Sequence, residues 1–221
     1  MLKKLVDITI SLGVIIFFFP IIVLILLLVF ITTGESPVFL QERKTSLEKN
    51  SIKIIKIRTI RSSNQFLELQ KLSPNAFIKI SYKKYVPLFC QWLRKTGLDE
   101  ILQVINVLKG EMSLVGPRPL QEKDLIIIKN RESALYYKRV KINSKPGIAG
   151  YWQVYGNRLK GTKNLIELDE KYEKEKSLSL DLNILSKTFI ILITATHSDA
   201  VMFEDNRPEK SPSKAKTLLI E

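Results

Sequence analysis

A run of 24 residues without a charged side chain, from Ile8 to Ile31, limits most strongly what this chain can fold into. As a helix, the run is long enough to cross a bilayer core of about 30 Å. It is longer than the roughly 7 to 15 apolar residues of a secretory signal, and no small-x-small cleavage site follows Ile31. The run therefore predicts a membrane anchor that the mature protein keeps.

Pro20 lies near the middle of this run, where a proline removes a helical hydrogen bond and tends to kink the chain. Positive charge flanks both ends, because Lys3 and Lys4 precede the run and six basic residues lie between Arg43 and Arg58. The positive-inside rule therefore gives no orientation for a single crossing. A helix that enters the bilayer, bends at Pro20 and returns to the same face satisfies both flanks. We expect this re-entrant arrangement rather than a span.

The remaining composition describes one medium-sized domain beside the anchor. The chain has 221 residues, 45% of them apolar, which is enough for a core and excludes disorder throughout. A formal net charge of +13 implies an anionic partner: nucleic acid, anionic lipid or a phosphorylated substrate. The single cysteine, Cys90, cannot form an internal disulfide, which fits a reducing compartment or the cytoplasmic face of a membrane.

The stretch from Arg94 to Pro119 combines acids, bases and turn residues around a short helical segment. Apolar residues recur in it at steps of three and four, as in a helix with one buried face; they are Leu98, Ile101, Leu102, Ile105 and Leu108. We expect Thr96 to cap this helix and Gly110 to end it. Asp99 and Glu100 then lie in the first turn, near the positive end of the helix dipole, which keeps carboxylates ionised and attracts phosphates.

These acids can do phosphate chemistry or can simply stabilise the helix. An ionised Asp99 beside two basic residues can attack phosphorus, as carboxylate nucleophiles do. Glu100 can hold Mg²⁺, which proteins bind through one or two carboxylates plus substrate phosphates. The alternative is that Thr96 and Asp99 form a capping motif without a role in catalysis. The segment Gly116-Pro117-Arg118-Pro119 favours phosphate chemistry, because it is stiff and holds a guanidinium, the group suited to bidentate phosphate contacts.

The string from Leu98 to Pro119 closely resembles the signature of the bacterial sugar transferases, the monotopic phosphoglycosyl transferases that begin glycan assembly on polyprenyl phosphate. The residues that carry the resemblance are Leu98-Asp99-Glu100, Gln103 and the unbroken run from Asn106 to Pro119. One departure lies inside the string, where Leu102 stands at a position that is commonly proline in the family. Because that proline would lie in the first turns of the helix, its loss alters how the helix begins more than its chemistry.

The resemblance implies a two-step reaction at the cytoplasmic face of the bacterial inner membrane. Asp99 would attack the sugar-bearing phosphate of a nucleoside-diphosphate sugar, with a UDP-sugar expected, and would form a covalent phosphosugar-aspartate. Polyprenyl phosphate would then accept the sugar phosphate, which begins an exopolysaccharide, capsule or lipopolysaccharide. Glu100 would help to coordinate Mg²⁺, while Arg94 and Arg118 would balance phosphate charge. A homodimer is left open, and no nucleic-acid partner is expected.

Residues 36–62 predict two short β-strands joined by a polar turn, because lysines interrupt a series of β-branched residues. The segment resembles the family elements Pro-Val-Phe, Gln-x-Arg and Lys-x-Arg-Thr. The resemblance makes Arg43, Lys56 and Arg58 candidate contacts for phosphate or lipid headgroups. The alternative is a solvated hairpin with a basic face.

The loop 145–158 resembles the family's Lys-Pro-Gly-Ile-Thr-Gly segment, followed by Gln-Val and Gly-Arg elements. Its three glycines would let the backbone approach a ligand closely. Gln153 and Arg158 are therefore candidate contacts for the nucleotide sugar, although Asn157 interrupts the Gly-Arg pair. The alternative is a purely structural turn.

The chain as a whole predicts an α+β fold, mainly helical with a small β-hairpin. A re-entrant membrane helix (1–34) precedes a cytoplasmic catalytic domain (35–203), and a flexible polar tail (204–221) follows. We expect interfacial amphipathic helices at 85–94, where bulky apolar and basic residues adjoin, and in the apolar run 182–195, which is too short to span. For each, packing on the domain is the alternative.

Two rival functions remain at the level of the sequence. One is a membrane-tethered binder of nucleic acid or anionic lipid that acts through its charge alone, although no motif typical of nucleic-acid binding is present. The other is a transferase-like scaffold without activity. His197, the only histidine, is no catalytic candidate, because a lone histidine cannot form a multi-histidine metal site. Release of nucleoside monophosphate would separate the enzyme from both rivals.

Overall fold

The structure is a computed structural model that describes residues 2–62, 86–157 and 161–194. The predicted tail, His197 and Arg158 lie outside these residues. The first half of the described chain contains helix α1 (Leu2–Thr33), strands β1 (Val38–Arg43) and β2 (Ile52–Ile57), helix α2 (Leu88–Thr96), a 3₁₀ helix (Leu98–Gln103) and helix α3 (Val104–Leu108). The second half contains β3 (Ser113–Val115), α4 (Glu122–Arg131), α5 (Ser133–Val140), β4 (Gly147–Ala149), α6 (Tyr151–Tyr155), α7 (Gly161–Glu175) and α8 (Leu178–Thr194). The fold is mostly helical with a small hairpin, as predicted.

Helix α1 is continuous through Pro20 and is long and apolar enough to cross a membrane. The bend at this proline and the re-entrant path stay predictions. Most of the large apolar side chains of α1 are exposed, whereas Ile22, Ile25 and Val29 are buried against the rest of the protein. The helix thus presents one apolar face outward and packs with another.

Both ends of α1 contact the same folded domain. Near the start of the helix, Lys3 Nζ lies 2.5 Å from Asp181 Oδ2 on α8. One turn later, the Asp7 carboxylate accepts a 2.7 Å hydrogen bond from the Ser113 hydroxyl on β3. Near the end of the helix, Val29 is fully buried among residues of β2 and α2. The helix therefore lies along the domain instead of projecting away from it.

Buried apolar side chains of the described residues form three clusters. The first lies between β3, α7 and α8 and includes Tyr172 and Ile184. The second joins the latter half of α1 to β2 and α2, and the third lies among α4, α5, α6 and α7. Helix α1 also packs directly on α3 and β3.

Of the two pairs of strands, one was predicted from the sequence and the other was not. β1 and β2 pair antiparallel, with Val38 opposite Ile57 and Arg43 opposite Ile52, which confirms the predicted hairpin. β3 and β4 form a parallel pair that was not predicted. They bring the segment that begins at Gly116 against the glycine-containing loop 145–158.

This parallel pair explains why glycines recur in both segments. Gly116 N–H donates to the Ala149 carbonyl and Gly147 N–H donates to the Pro117 carbonyl, each at 3.0 Å. A Cβ at Gly116 would lie 2.3 Å from the Lys145 carbonyl oxygen, and one at Gly147 would lie 2.1 Å from the Gly116 nitrogen. Gly116 and Gly147 therefore let two protein segments approach each other closely, and the predicted approach of the 145–158 loop to a ligand stays a prediction.

The central helix begins differently from the prediction. Gly97, with φ of 74°, precedes the 3₁₀ helix, and Thr96 is the last residue of α2. The Thr96 hydroxyl donates to carbonyls of its own helix and accepts only a long 3.4 Å bond from Leu98 N–H. The prediction that Thr96 caps the central helix is therefore wrong. Gly110, with φ of 77°, follows α3, and this part of the prediction is confirmed.

Asn106 joins α3 to the hairpin. Its fully buried amide donates to the Lys53 carbonyl at 2.8 Å and to Glu111 Oε2 at 2.6 Å, and it accepts a 3.0 Å hydrogen bond from Ile55 N–H. Both the oxygen and the nitrogen of the amide thus have hydrogen-bond partners. Asn106 fixes β2 relative to the central helix.

We expect Asn106→Leu to destabilise the protein by about 2 to 3 kcal/mol, because it leaves backbone groups of Lys53 and Ile55 buried without partners. For a chain of this length, the melting temperature should fall by about 5 to 10 °C. Thermal unfolding in detergent measures this fall. Asn130, which is exposed on α4, provides the matched control, and Asn130→Leu should change the melting temperature little. Equal melting temperatures for the two variants would contradict the prediction.

Candidate active site

A cleft of about 240 Å³, counted with its open mouth, lies where the hairpin, the 3₁₀ helix and the β3–β4 pair meet. Its charged and amide-bearing lining residues are Arg43, Lys56, Glu100, Gln103, Arg118 and Gln153. Ile54, Pro119, Gly147 and Ile148 complete the lining. Five of the site residues predicted from sequence are therefore brought together from distant parts of the chain, and Gln103 joins them.

Glu100 forms a salt bridge with Lys56 of β2 inside this cleft. Only 7% of Glu100 is exposed, and the Lys56 side chain is also largely buried. Two buried charges of opposite sign stabilise each other, whereas either one alone would be costly. The pair therefore fixes the hairpin against the 3₁₀ helix and places a carboxylate in the lining of the cleft.

Asp99, next to Glu100, is equally buried at 7% exposed. Neighbouring side chains of a 3₁₀ helix are about 120° apart, since it has three residues per turn. Glu100 accordingly lines the cleft, and the described lining does not include Asp99. Burial raises the pKa of the Cys90 thiol on α2, and the charges of Arg94 and Asp99 also act on it. Asp99 is therefore close enough to α2 for its charge to act on Cys90.

The backbone of Arg118 is held on both sides by a buried ion pair. Asp169 Oδ1 accepts a 3.4 Å hydrogen bond from Arg118 N–H, and Arg139 donates to the Arg118 carbonyl. Arg139 Nη1 lies 2.8 Å from Asp169 Oδ2, and each of the two side chains is 1% exposed. The sequence analysis gave neither residue a role. The available signal was that Asp169 follows Ile166 by three residues on the apolar face of α7.

Arg43 ends β1 and is connected to the Arg118 segment through the backbone. The next residue, Lys44, exchanges two 2.8 Å hydrogen bonds with Leu120. Asp124, 7% exposed in the first turn of α4, is a further charged residue that the sequence analysis missed. Burial raises the pKa of its carboxyl, and the positive charges of Arg43 and Arg118 oppose that rise. Two guanidiniums of the cleft thus have a buried carboxyl group in their neighbourhood.

Gln153 offers the cleft an unused acceptor. Its Nε2 donates to the Ile148 carbonyl at 3.2 Å. Its Oε1 is buried and has no hydrogen-bond partner within the part of the chain that the structure describes. Because a buried polar atom without a partner is costly, this oxygen is suited to a hydroxyl or N–H group of a ligand.

Besides Asp99, two further predicted residues, Arg58 and Arg94, are absent from the described lining of the cleft. Arg58 pairs with Glu35 at 3.1 Å and lies over the ring of Phe39. Arg94 donates a 3.0 Å hydrogen bond to the Thr59 hydroxyl. These arginines therefore lie near the end of α1 and the start of the central helix, while Arg158 lies outside the described residues.

A magnesium ion fits this site only together with a substrate. The described residues contain no group of three or more His, Cys, Asp and Glu side chains that could hold a metal ion. Glu100 supplies one carboxylate in the cleft. Mg²⁺ is commonly held by one or two carboxylates while substrate phosphates and water complete its six ligands. Glu100 is thus a suitable but incomplete donor set.

Known proteins match this chain over most of its length. The model of a family described as bacterial sugar transferase matches residues 1–195. The exopolysaccharide production protein ExoY of Rhizobium meliloti is 32% identical, over 85% of this chain and 84% of its own. The UDP-galactose-lipid carrier transferase of Erwinia amylovora is 30% identical, over 87% of this chain and 40% of its own. For the undecaprenyl-phosphate galactose phosphotransferase of Salmonella typhimurium, the identity is 28% over the same two shares.

Proposed function

This chain belongs to the bacterial sugar transferase family and is a phosphoglycosyl transferase, and we propose that it transfers a sugar 1-phosphate from a UDP-sugar to polyprenyl phosphate. This transfer would begin a bacterial surface glycan. The lipid carrier named in two relatives supports the acceptor. The observation that carries the proposal is the cleft, where Arg43, Lys56 and Arg118 surround Glu100. Three cations and one anion leave a formal charge of +2, which complements a diphosphate.

The chemistry divides into two displacements at one phosphorus atom. In the first, the Asp99 carboxylate attacks the phosphorus that carries the sugar, and the bond from that phosphorus to the oxygen bridging to the nucleoside monophosphate breaks. In the second, an oxygen of polyprenyl phosphate attacks the same phosphorus and the Asp99 carboxylate leaves. The bond between the sugar and its phosphate is never broken. A covalent intermediate of this kind predicts ping-pong kinetics.

The residues that line the cleft act on charge and position, beside Asp99. Arg118 and Arg43 balance the charge of the diphosphate, which arginine does through paired N–H donors. The prolines on either side of Arg118 limit the freedom of its backbone. Gln153 Oε1 accepts from a hydroxyl or N–H group of the donor. Glu100 would hold Mg²⁺ with the substrate's phosphate oxygens, and a bound magnesium ion would neutralise charge that develops on the leaving phosphate.

The direct test is a panel of UDP-sugars offered with polyprenyl phosphate to protein in nanodiscs. Release of UMP with one or a few sugars, together with a sugar-diphosphate lipid, is expected. A protein that acts only through its positive charge, or an inactive scaffold, releases no UMP. Absence of release across the panel, with folded protein, would refute the proposed function.

We also propose that the protein sits on the cytoplasmic face of the bacterial inner membrane, with α1 entering and leaving on that face. Both ends of α1 contact the domain, through Lys3 and through Val29, so a crossing would place folded domain inside the bilayer. Further exposed apolar side chains lie on α2 and α8: Leu88, Trp92, Phe189, Ile190 and Ile193. Such side chains on short helices suit the headgroup region.

The re-entrant path predicts that both flanks of α1 are accessible from the same side. Because Cys90 is the only cysteine and is buried, a Cys90→Ala background is free of native thiols. Lys4→Cys and Ser36→Cys should both react with a membrane-impermeant maleimide in inside-out vesicles and neither in right-side-out vesicles. Phe19→Cys, at an exposed apolar position in mid-helix, should be protected in both. Labelling of the two flanks from opposite sides would show a span instead.

A further inference from the structure

The Arg139–Asp169 ion pair lies outside the lining of the cleft and has no part in the proposed chemistry. Arg139 projects from α5 and Asp169 from α7, and each is 1% exposed. Burying two charges costs several kcal/mol per ion, and apolar replacements of similar volume are often as stable. A pair of this kind therefore calls for an explanation other than packing.

The explanation lies in the backbone groups that the pair satisfies. Asp169 accepts from Arg118 N–H at 3.4 Å, and Arg139 donates to the Arg118 carbonyl, so the pair holds both polar groups of one residue. Arg139 Nε donates to the Thr45 carbonyl at 2.6 Å. Thr45 lies two residues after Arg43. Apolar side chains in place of the pair would leave three backbone groups without these partners.

The contacts link the two segments that bear the guanidiniums of the cleft. Lys44 and Leu120, which follow Arg43 and Arg118 by one and two residues, are bonded to each other at 2.8 Å. Arg139 bonds to the carbonyl beyond Lys44 on one segment and to the carbonyl of Arg118 on the other. Loss of the Arg139 bonds leaves only the Lys44–Leu120 pair of these links, so the separation of Arg43 and Arg118 becomes less fixed while both side chains stay present.

We propose that Arg139 and Asp169 are positioning residues that set the spacing of Arg43 and Arg118 for the two phosphates of the donor. The inference rests on the proposed function, because it takes the ligand of the cleft to be a diphosphate. A buried ion pair thereby keeps the two guanidiniums of an anion-binding site at a fixed separation. Catalysis depends on such spacing, because a displacement of about 1 Å can cost about 100-fold in rate.

Asp169→Asn and Arg139→Lys test the proposal. Asparagine keeps the shape and one acceptor of Asp169. Lysine keeps the charge of Arg139 but cannot reproduce its three hydrogen bonds, to Asp169 and to the carbonyls of Thr45 and Arg118. The burst of UMP in the absence of acceptor counts competent active sites. Per competent site, we expect the KM for the UDP-sugar to rise at least about 10-fold and kcat/KM to fall about 30- to 100-fold.

Tyr136→Phe is the matched control. Tyr136 is fully buried on the same helix, and its hydroxyl accepts from Leu47 N–H at 2.9 Å and donates to Glu48 at 2.7 Å in the same hairpin turn. Neither of these two partners belongs to the segment that contains Arg118. The variant should therefore lower the melting temperature while the KM of each competent site stays at its wild-type value.

Three results would overturn the inference. The first is a wild-type KM in both variants, and the second is a KM in Tyr136→Phe that rises as much as theirs. The third is the absence of folded protein in both variants, which would show that the pair serves the fold alone. Wild-type protein that releases no UMP would refute the proposed function instead. Pyrophosphate binding by calorimetry then still decides the inference, since Asp169→Asn should weaken it about 10-fold.

Discussion

Asp99→Asn is expected to abolish transfer of the sugar phosphate, with turnover reduced by about 10³- to 10⁵-fold, while the protein stays folded and in the membrane. The amide has the shape of the carboxylate but is not a nucleophile, so no covalent intermediate can form. Asp99 lies in the first turn of the 3₁₀ helix and is 7% exposed, so an isosteric change should disturb packing little. The measurement is UMP release with and without polyprenyl phosphate.

Exchange of labelled UMP into the UDP-sugar, without acceptor, isolates the first displacement. Wild-type protein should catalyse this exchange and Asp99→Asn should not. Asp181→Asn is the matched control, because Asp181 is equally buried at 5% exposed, also lies in the first turn of a helix, and is absent from the described lining of the cleft. That variant should retain exchange. Full exchange by Asp99→Asn would refute the assignment of the nucleophile, and loss of exchange in both variants would point to general damage.

The features that could be predicted from sequence are those that depend on residues close together in the chain. The hairpin follows from β-branched residues on either side of a polar turn, and its register places Arg43 and Lys56 on adjacent strands. Asp99 and Glu100 follow from a short helical period next to turn residues. Each of these signals lies within about 30 residues of chain, where side-chain spacing directly reflects backbone geometry.

The features that escaped prediction depend on partners distant in sequence. β3 and β4 are three residues long, too short for a periodic pattern, and Ser113 meets Gly147 only after two helices have intervened. The close packing of Gly116 against Gly147 could therefore not be predicted. Arg139 and Asp169, taken separately, are ordinary charged residues of helices. No local sequence pattern identifies one as the partner of the other.

Pro20 shows a different limit of sequence patterns. A proline within a helix removes one hydrogen bond, which is a local cost that predicts a kink. The residues that follow it in the helix, Ile22, Ile25 and Val29, gain free energy through burial against β2 and α2. The path of α1 is thus decided by tertiary contacts at its two ends. The sequence of the helix alone could not show them.

We expect Glu100→Gln to lower kcat by about 100- to 1,000-fold with little change in the KM for the UDP-sugar, a smaller loss than for Asp99→Asn. The change raises the formal charge of the cleft, so donor binding is not weakened. The carboxylate that would share Mg²⁺ with the substrate is lost, and saturation should require several-fold more magnesium. A magnesium titration of UMP release measures both effects.

A substitution of Lys56 distinguishes the catalytic role of Glu100 from a structural one. Because Lys56 and Glu100 form a buried salt bridge, Glu100→Gln leaves the lysine without its counter-charge and should cost about 2 to 4 kcal/mol of stability. The double variant Glu100→Gln/Lys56→Met removes both charges and should recover much of the lost melting temperature. It should not recover kcat or the magnesium requirement. Recovery of kcat together with stability would mean that Glu100 serves only to pair with Lys56.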